Sequence, residues 1–348
     1  MKEVLCVDFI CETQNTSREH ATVHLHMLTW AAAAIAAAEA PSLGQWDCIF
    51  LHGGGVTASG PPTTSFPAYW GDLHEHTPQC RTRTFNHANT TGTDFTDPAL
   101  MRSYCAAAGA PSTPNSTAIP TVRNKLVFTH SMGNLVLARA LQTGVCALEA
   151  NSSAWYLSGA PLRGTAAAVK LIDICGHPTV VQKPLRFVFE ELGLCEGRNV
   201  SAEFYSYRPD NPALVGLAEV ANRSASGAMC GTSAFGIVSK YSAALDAVAA
   251  LVRFGEPNDG LVGFSSCAAG GWPAPRAGGT TTSTTASDLH RSVVDGEDDA
   301  KDDADELPDW YAAPMNHADN SGRDGDGKKA LPVSWFGTRR GKVGSMRS

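Results

Sequence analysis

Ser131 is the residue whose type and setting best suit covalent chemistry in this 348-residue sequence. It lies in the segment THSMG (residues 129–133), between an apolar stretch and a helical pattern. A serine hydroxyl becomes a nucleophile when a base removes its proton, and it must project towards a substrate carbonyl. A sharp strand-to-helix turn achieves this and requires small residues two positions before and after the serine. Gly133 meets that requirement and Thr129 meets it in part, so a serine that merely ends a buried strand stays an alternative.

Three glycines upstream provide a second chemical feature. The segment IFLHGGG (residues 49–55) ends an apolar stretch in Gly53, Gly54 and Gly55. Glycines let backbone N–H groups come close to a negatively charged oxygen, as an oxyanion hole requires. A flexible turn would also explain the glycines alone. Because an elbow-like serine segment follows later in the chain, an oxyanion loop is favoured.

These two segments need a scaffold, and the pattern of the chain supplies one. Short apolar segments alternate with helical patterns, which predicts an α/β fold with a mostly parallel sheet flanked by helices. The predicted strands are residues 47–52, 81–85, 125–130 and 154–161, and the predicted helices begin near residue 97, follow residue 131 and span residues 241–254. Residues 166–235 are irregular and are predicted to form a cap. Residues 270–308 are too polar to pack and are predicted to be a disordered low-complexity insertion.

The motifs together resemble the serine lipases and esterases of the α/β-hydrolase superfamily. Four segments occur in the family's order: HGGG (52–55), THSMGN (129–134), SGAPLRGT (158–165) and NDGLVGFSSC (258–267). The resemblance extends in patches between residues 45 and 320 and implies an α/β-hydrolase fold for residues 41–348. The threonine in the elbow and the long insertion depart from the family pattern.

The resemblance also implies roles for individual residues. Ser131 matches the nucleophile, and the backbone N–H of Met132 matches one oxyanion donor. Gly54 is favoured as the second donor, with Gly53 and Gly55 left open. Asp259 matches the acid of the family, and a solvated turn aspartate is the alternative.

The base follows from the family order of serine, acid and histidine, which requires a histidine after the acid. Only His290 and His317 qualify. His290 lies in the predicted insertion, where an imidazole would be too mobile to hold a productive geometry. His317 follows the strand-like segment WYAAPM (residues 310–315) and is the predicted base.

The implied reaction is cleavage of a carboxylic ester, with a hydrophobic or lipid-like ester as substrate and transient contact with lipid surfaces. No cofactor or metal is expected, because the His- and acid-containing segment 70–76 lacks HExxH spacing. The alternatives are another acyl-transfer enzyme of the same fold, such as a phospholipase, an acyltransferase or a glycolipid inositol deacylase, or a catalytically silent binding protein. The oligomeric state is left open.

Charge gives no reason to expect nucleic acid as a partner. The net charge is −7, but residues 295–309 alone carry nine carboxylates and one lysine. The rest of the chain is therefore close to neutral, without the basic excess that nucleic-acid binding requires.

Cysteines and glycosylation signals favour the secretory route. The chain has ten cysteines and six Asn-x-Ser/Thr sequons, at Asn15, Asn89, Asn115, Asn151, Asn199 and Asn222. The apolar run of residues 27–40 resembles the core of a signal peptide within a predicted N-terminal extension, residues 1–40, although an alanine-rich helix is the alternative. Cleavage near Ala40 leaves eight cysteines, an even number that predicts disulfides without deciding their pairing. The predicted location is secreted or within the endomembrane lumen.

Overall fold

A computed structural model of the chain describes residues 46–111, 117–176, 183, 186, 195–196, 199–200, 203–268 and 309–323. These residues belong to one compact unit that spans residues 43–348. The N-terminal extension with its apolar run and the insertion of residues 270–308 lie outside the described residues. His290 also lies outside them.

The strands form one central sheet and two small ones. The described residues contain ten strands: β1 (Trp46–Leu51), β2 (Cys80–Phe85), β3 (Thr121–Val122), β4 (Lys125–His130), β5 (Ala147–Leu148), β6 (Ala154–Ser158), β7 (Cys195–Glu196), β8 (Asn199–Val200), β9 (Gly227–Gly231) and β10 (Asp309–Ala313). The central sheet has six strands in the order β10-β9-β6-β4-β1-β2, and every pairing in it is parallel. β3 pairs with β5 in parallel, and β7 pairs with β8 antiparallel.

Helices cover the sheet and connect its strands. They are α1 (Pro67–Trp70), α2 (Leu73–His76), α3 (Pro98–Ala107), α4 (Met132–Thr143), α5 (Ala166–Gly176), α6 (Glu203–Ser206), α7 (Leu217–Ser224), α8 (Ser242–Val252) and α9 (Phe264–Cys267). The start of α3 is fixed by Pro98 in the first turn and by Asp97, whose carboxylate accepts a hydrogen bond of 2.8 Å from the Leu100 amide. Within the described residues, no helix combines the length and apolarity needed to cross a bilayer.

Both faces of the central sheet are buried, as expected for parallel strands. Alternate residues of β1 face opposite cores: Ile49 and Leu51 pack into one, and Phe50 packs into the other. The Phe50 ring stacks on Phe85 at 4.8 Å and on Phe128 at 5.1 Å, so aromatic contacts tie three adjacent strands together. The prediction of an α/β fold with a mostly parallel sheet flanked by helices is confirmed.

The range predicted as a cap, residues 166–235, partly belongs to the central sheet. Gly227–Gly231 is β9, which pairs with β6 on one side and β10 on the other. Its sequence, GAMCG, has small and apolar residues without a period of two, so periodicity gave no strand signal. The cap stays a prediction for residues before β9.

Eight cysteines form four disulfides, each between consecutive cysteines of the described chain. The bonds are Cys48–Cys80, Cys105–Cys146, Cys175–Cys195 and Cys230–Cys267. The predicted disulfide framework is confirmed, and the pairing that the sequence left open is fixed by which elements are neighbours. Each bond stabilises the fold by about 2–4 kcal/mol, chiefly by restricting the unfolded chain.

Candidate active site

The residues singled out in the sequence follow the carboxyl ends of neighbouring strands. Gly54 follows β1, Ser131 follows β4, Asp259 lies in the segment after β9 and α8, and His317 follows β10. Because parallel strands end at the same edge of a sheet, the four segments meet there. A single edge of the sheet therefore carries the candidate site.

Ser131 occupies a strained turn between β4 and α4. Its φ of 53° and ψ of −127° are unusual for a residue with a side chain. The turn brings α4 so close to β1 that a Cβ on Gly133 would lie 2.5 Å from the carbonyl oxygen of His52 and 2.7 Å from that of Leu51. Glycine is required at this position, which explains why it follows the serine by two residues.

Thr129, the departure from the family pattern, is accommodated by hydrogen bonds. Its buried hydroxyl donates to Asn134 Oδ1 at 2.5 Å and accepts from the Trp155 indole N–H at 2.7 Å. The Asn134 side-chain amide in turn donates to the backbone carbonyls of Ser131 at 2.8 Å and Ser158 at 2.9 Å. The hydroxyl that made the match imperfect thus belongs to a network that supports the turn.

Ser131, His317 and Asp259 lie in one line of hydrogen bonds. His317 Nε2 is 2.8 Å from Ser131 Oγ, and His317 Nδ1 is 2.8 Å from Asp259 Oδ2. A carboxylate can only accept, so Nδ1 carries the imidazole proton and Nε2 of the neutral ring is free to accept from the serine. The structure thus brings together the three residues selected from the sequence, although their catalytic roles stay predictions.

The Asp259 carboxylate is fully buried, at 1% exposure, and is held from several directions. Its Oδ1 accepts from the backbone amides of Leu261 at 3.0 Å and Val262 at 2.7 Å. Its Oδ2 accepts from the Asn320 side-chain amide at 2.8 Å. Sequence reasoning missed Asn320, because an asparagine in the turn-rich segment after His317 looks like an ordinary turn former.

Two glycines allow Asp259 and His317 to pack closely against the sheet, and one disulfide fixes the segment that carries Asp259. A Cβ on Gly231, the last residue of β9, would lie 2.8 Å from Asp259 Cβ, and a Cβ on Gly159 would lie 3.3 Å from the His317 ring. The bond between Cys230 and Cys267 joins the end of the segment that carries Asp259 back to β9. The acid is therefore positioned by covalent and steric constraints as well as by hydrogen bonds.

The amides of the glycine loop are not equivalent. The Gly53 N–H donates to the Tyr69 hydroxyl at 2.7 Å. In the described part of the chain, neither the Gly54 amide nor that of Met132, at the start of α4, has a hydrogen-bond acceptor. Gly54 also lines the cavity beside Ser131. This favours the Gly54 amide over that of Gly53 as the second oxyanion donor, in line with the prediction.

His52, the histidine of the HGGG motif, braces the same loop. Its Nδ1 is 2.8 Å from the Gly53 carbonyl oxygen, which can only accept, and its Nε2 accepts from the Ala88 amide at 3.2 Å. Burial lowers the pKa of His52 to about 4, so the ring is neutral at physiological pH. The motif's histidine therefore has a structural role that the sequence did not reveal.

A cavity of about 300 Å³ opens beside Ser131 and His317. Most of its lining is apolar, with side chains from Ala68, Pro161, Phe204, Leu245, Leu261 and Val262. Glu203, Tyr241 and Arg323 add polar groups to the lining, and the Arg323 guanidinium lies 4.9 Å from the centre of the Tyr241 ring. Burial by itself raises the pKa of Tyr241, but Arg323 and Lys240 lower it below its ordinary value. One side of the cavity is therefore electropositive.

Comparison with known proteins gives only distant matches. No family model and no curated protein matches the chain. Among solved structures, it is similar to the mature form of the Bacillus licheniformis lipase BlEst2, with 15% identity, coverage of 66% of this chain and 81% of that one, and a TM-score of 0.39. It is also similar to lipase 1 from Pelosinus fermentans, with 12% identity, coverage of 80% and 94%, and a TM-score of 0.37. A third similar structure is EstA from Clostridium botulinum, with 11% identity, coverage of 84% of this chain and 86% of that one, and a TM-score of 0.38. Likenesses this distant do not identify a reaction or a substrate, so the function has to be inferred from the site itself.

Proposed function

We propose that this protein hydrolyses carboxylic esters through an acyl-enzyme formed on Ser131. The observation that carries the proposal is the line of two 2.8 Å hydrogen bonds from Ser131 Oγ through the His317 ring to buried Asp259. A nucleophile, a base within reach and a third group that orients the base are what activation of a serine requires.

The reaction follows from the roles of these atoms. His317 Nε2 takes the proton of Ser131 as the serine oxygen attacks the ester carbonyl, and Asp259 stabilises the resulting imidazolium. The backbone N–H groups of Met132 and Gly54 stabilise the oxyanion of the tetrahedral intermediate. His317 then gives its proton to the departing alcohol, and the acyl group stays on the serine. Water, deprotonated by the same imidazole, attacks the acyl-enzyme, and the imidazolium returns the proton to Ser131 Oγ as the bond to the acyl group breaks and the acid leaves.

The proposed substrate is a hydrophobic or lipid-like ester. The support is the mainly apolar lining of the cavity, which can bury hydrocarbon next to the reacting oxygen. Glu203, Phe204 and Tyr207, from the range predicted as a cap, contribute to that lining. The cap is therefore proposed to select the substrate, while the sheet edge carries out the chemistry.

We further propose that the protein matures in the secretory pathway. The support is the pairing of eight cysteines in disulfides, which form and persist in oxidising compartments. The sequon asparagines Asn89, Asn151 and Asn222 are exposed. Mass spectrometry of the protein from a secretory host should find glycans and a start near residue 41. An unprocessed N-terminus without glycans would overturn this part of the proposal.

Labelling with a fluorophosphonate probe tests the activity. Wild-type protein should be labelled and should hydrolyse short soluble esters, and Ser131→Ala should lose both properties while keeping its far-UV circular dichroism. Ser65→Ala, at an exposed position outside the cavity lining, is the matched control and should behave as wild type. A folded wild type that neither reacts with the probe nor cleaves esters would instead favour the silent binding protein. A graded series of esters would then define the chain length that the cavity accepts.

A further inference from the structure

A chain of hydrogen bonds connects the oxyanion loop to the loop that carries the proposed base. The Gly53 amide donates to the Tyr69 hydroxyl at 2.7 Å, and that hydroxyl is 2.6 Å from His130 Nδ1. On its other side, His130 Nε2 is 2.9 Å from the backbone carbonyl oxygen of His317. Two side chains thus bridge two loops that are far apart in sequence.

Elementary valence fixes the direction of each bond. A carbonyl oxygen can only accept, so His130 Nε2 carries the proton that it donates to His317. Burial is the main cause that lowers the pKa of His130 well below its ordinary value, so the ring is neutral and Nδ1 has no proton. Nδ1 must therefore accept from the Tyr69 hydroxyl, whose oxygen accepts the Gly53 N–H. Each hydrogen bond in this series therefore has one direction. Loss of either side chain leaves a polar group of its neighbour without its partner in the series.

The chain acts on both halves of the proposed machinery. Gly53 packs directly on the nucleophile, since a Cβ there would lie 2.6 Å from Ser131 Cβ, and its neighbour Gly54 bears the favoured oxyanion donor. At the other end, the bonded carbonyl belongs to His317, whose ring faces the serine. A small rotation of either loop would move a proposed oxyanion donor or the base relative to Ser131 Oγ.

We propose that Tyr69 and His130 are positioning residues that hold the oxyanion loop and the His317 loop at a fixed separation around Ser131. This inference rests on the proposed ester hydrolysis. It assigns His130, which lies beside the nucleophile and was interpreted from sequence as packing, a specific part in aligning the site. It also explains why the Gly53 amide is bonded to a side chain while the amide of Gly54, which lines the cavity, has no acceptor in the described part of the chain.

The first test is Tyr69→Phe, which keeps the ring packed against Trp70 and His130 and removes only the hydroxyl. We expect kcat for a short p-nitrophenyl ester to fall roughly 100-fold, since a small misplacement of reacting groups is costly. KM should change much less, because the aromatic ring that Tyr69 contributes to the cavity lining is retained and only its hydroxyl is lost. Thr143→Val, which removes an exposed hydroxyl at the C-terminal end of α4 and outside the cavity lining, is the control and should leave both constants unchanged.

The second test asks whether the two residues act as one unit. His130→Leu removes both hydrogen bonds, whereas His130→Gln retains a donor and an acceptor and should recover part of the lost kcat. The double variant Tyr69→Phe/His130→Leu should be no slower than His130→Leu alone, because both substitutions break the same chain. Losses that multiply would show independent effects and overturn the proposal.

The remaining outcomes are also decisive. An active wild type whose kcat survives Tyr69→Phe would refute the positioning role and leave the proposed function intact. A wild type without esterase activity would refute the proposed function, and the positioning role with it, before any variant is measured. If Tyr69→Phe does not fold, the comparison of His130→Gln with His130→Leu decides, and equal kcat in those two variants would overturn the inference.

Discussion

Two parts of the cavity wall are built in different ways. The first, called the catalytic wall because it carries the proposed chemistry, is formed by Ser131, Asp259 and His317. These residues lie in segments that follow strands of the central sheet, and hydrogen bonds of 2.8 Å connect them. The substrate wall, residues 203–207, consists of the four-residue helix α6 and Tyr207, whose hydroxyl has no hydrogen-bond partner within the described residues. Each member of the catalytic wall is hydrogen-bonded through its side chain, whereas in the substrate wall the Tyr207 hydroxyl has no such bond to the described residues. The chemistry of the site is therefore easier to infer than its substrate.

The largest expected effect comes from the catalytic wall. His317→Ala should lower kcat/KM for a short ester by at least about a thousandfold, as expected for loss of a catalytic base. His290→Ala, in the predicted insertion, is the control and should have almost no effect. Steady-state kinetics on both variants decides the assignment. If His290→Ala were inactive and His317→Ala active, the base would be His290, and the assignment of His317 to the catalytic wall would be wrong.

The next largest expected effect is on the stability of the fold and comes from His52, in the loop that follows β1. The pKa of His52 is about 4 in the folded protein and about 6.5 when unfolded, so its contribution is complete above pH 6.5 and is lost as the pH falls towards 4. The lost free energy of unfolding from this group is about 3 kcal/mol. Urea denaturation of wild type and His52→Gln at pH 7.5 and pH 5 measures about 2 kcal/mol of this loss, because the remainder is lost only as the pH falls to 4 and below. The variant should lose less stability than wild type over this range, and an equal loss would contradict the prediction.

A smaller effect should follow from removing a support of Asp259. Asn320→Ala deletes the amide that donates to Asp259 Oδ2, leaving that oxygen with one fewer partner in a buried site. We expect kcat to fall about tenfold or more, with little change in KM, because the lost bond orients the acid and does not contact substrate. Kinetics together with a thermal melt separates this from a loss of folded protein. Unchanged kcat would mean that the two backbone amides suffice to orient the carboxylate.

The smallest effect should arise in the substrate wall. Phe204 lines the cavity and its ring contacts Tyr207 at a centroid distance of 5.5 Å. Phe204→Ala should enlarge the cavity and shift the ratio of kcat/KM for long over short esters by a few-fold, with kcat for the short ester nearly unchanged. A large loss for every ester would show that the substrate wall also supports the chemistry, and the contrast between the walls would disappear.

The sequence was informative where one segment determines local geometry. The apolar run before Ser131 and the glycine two residues after it predicted strand β4, the turn and helix α4, because the constraints are local. The order of nucleophile, acid and base along the chain then narrowed the base to two histidines. Those features could be found without knowing which strands are neighbours.

Features that depend on tertiary neighbours could not be found in this way. The pairing of Cys48 with Cys80 depends on β1 lying beside β2. Strand β9, GAMCG, contains no polar side chain that could alternate with its apolar ones, so it shows no period of two. Asn320 and Tyr69 have no distinctive spacing from the residues that they contact. Their roles arise only when segments more than sixty positions away in the chain meet at the sheet edge.

The pairing of consecutive cysteines has a consequence for the order of assembly. Each disulfide closes a segment of the chain separated by 20 to 41 positions, so every bond can form before the C-terminal part of the protein has been synthesised. His317, in contrast, follows β10, the last described strand and one edge of the central sheet. A nascent chain can thus be covalently closed up to Cys267 while the line from Ser131 to Asp259 still lacks its imidazole. If the protein matures in the secretory pathway as proposed, it would therefore be cross-linked before the proposed catalytic residues are complete.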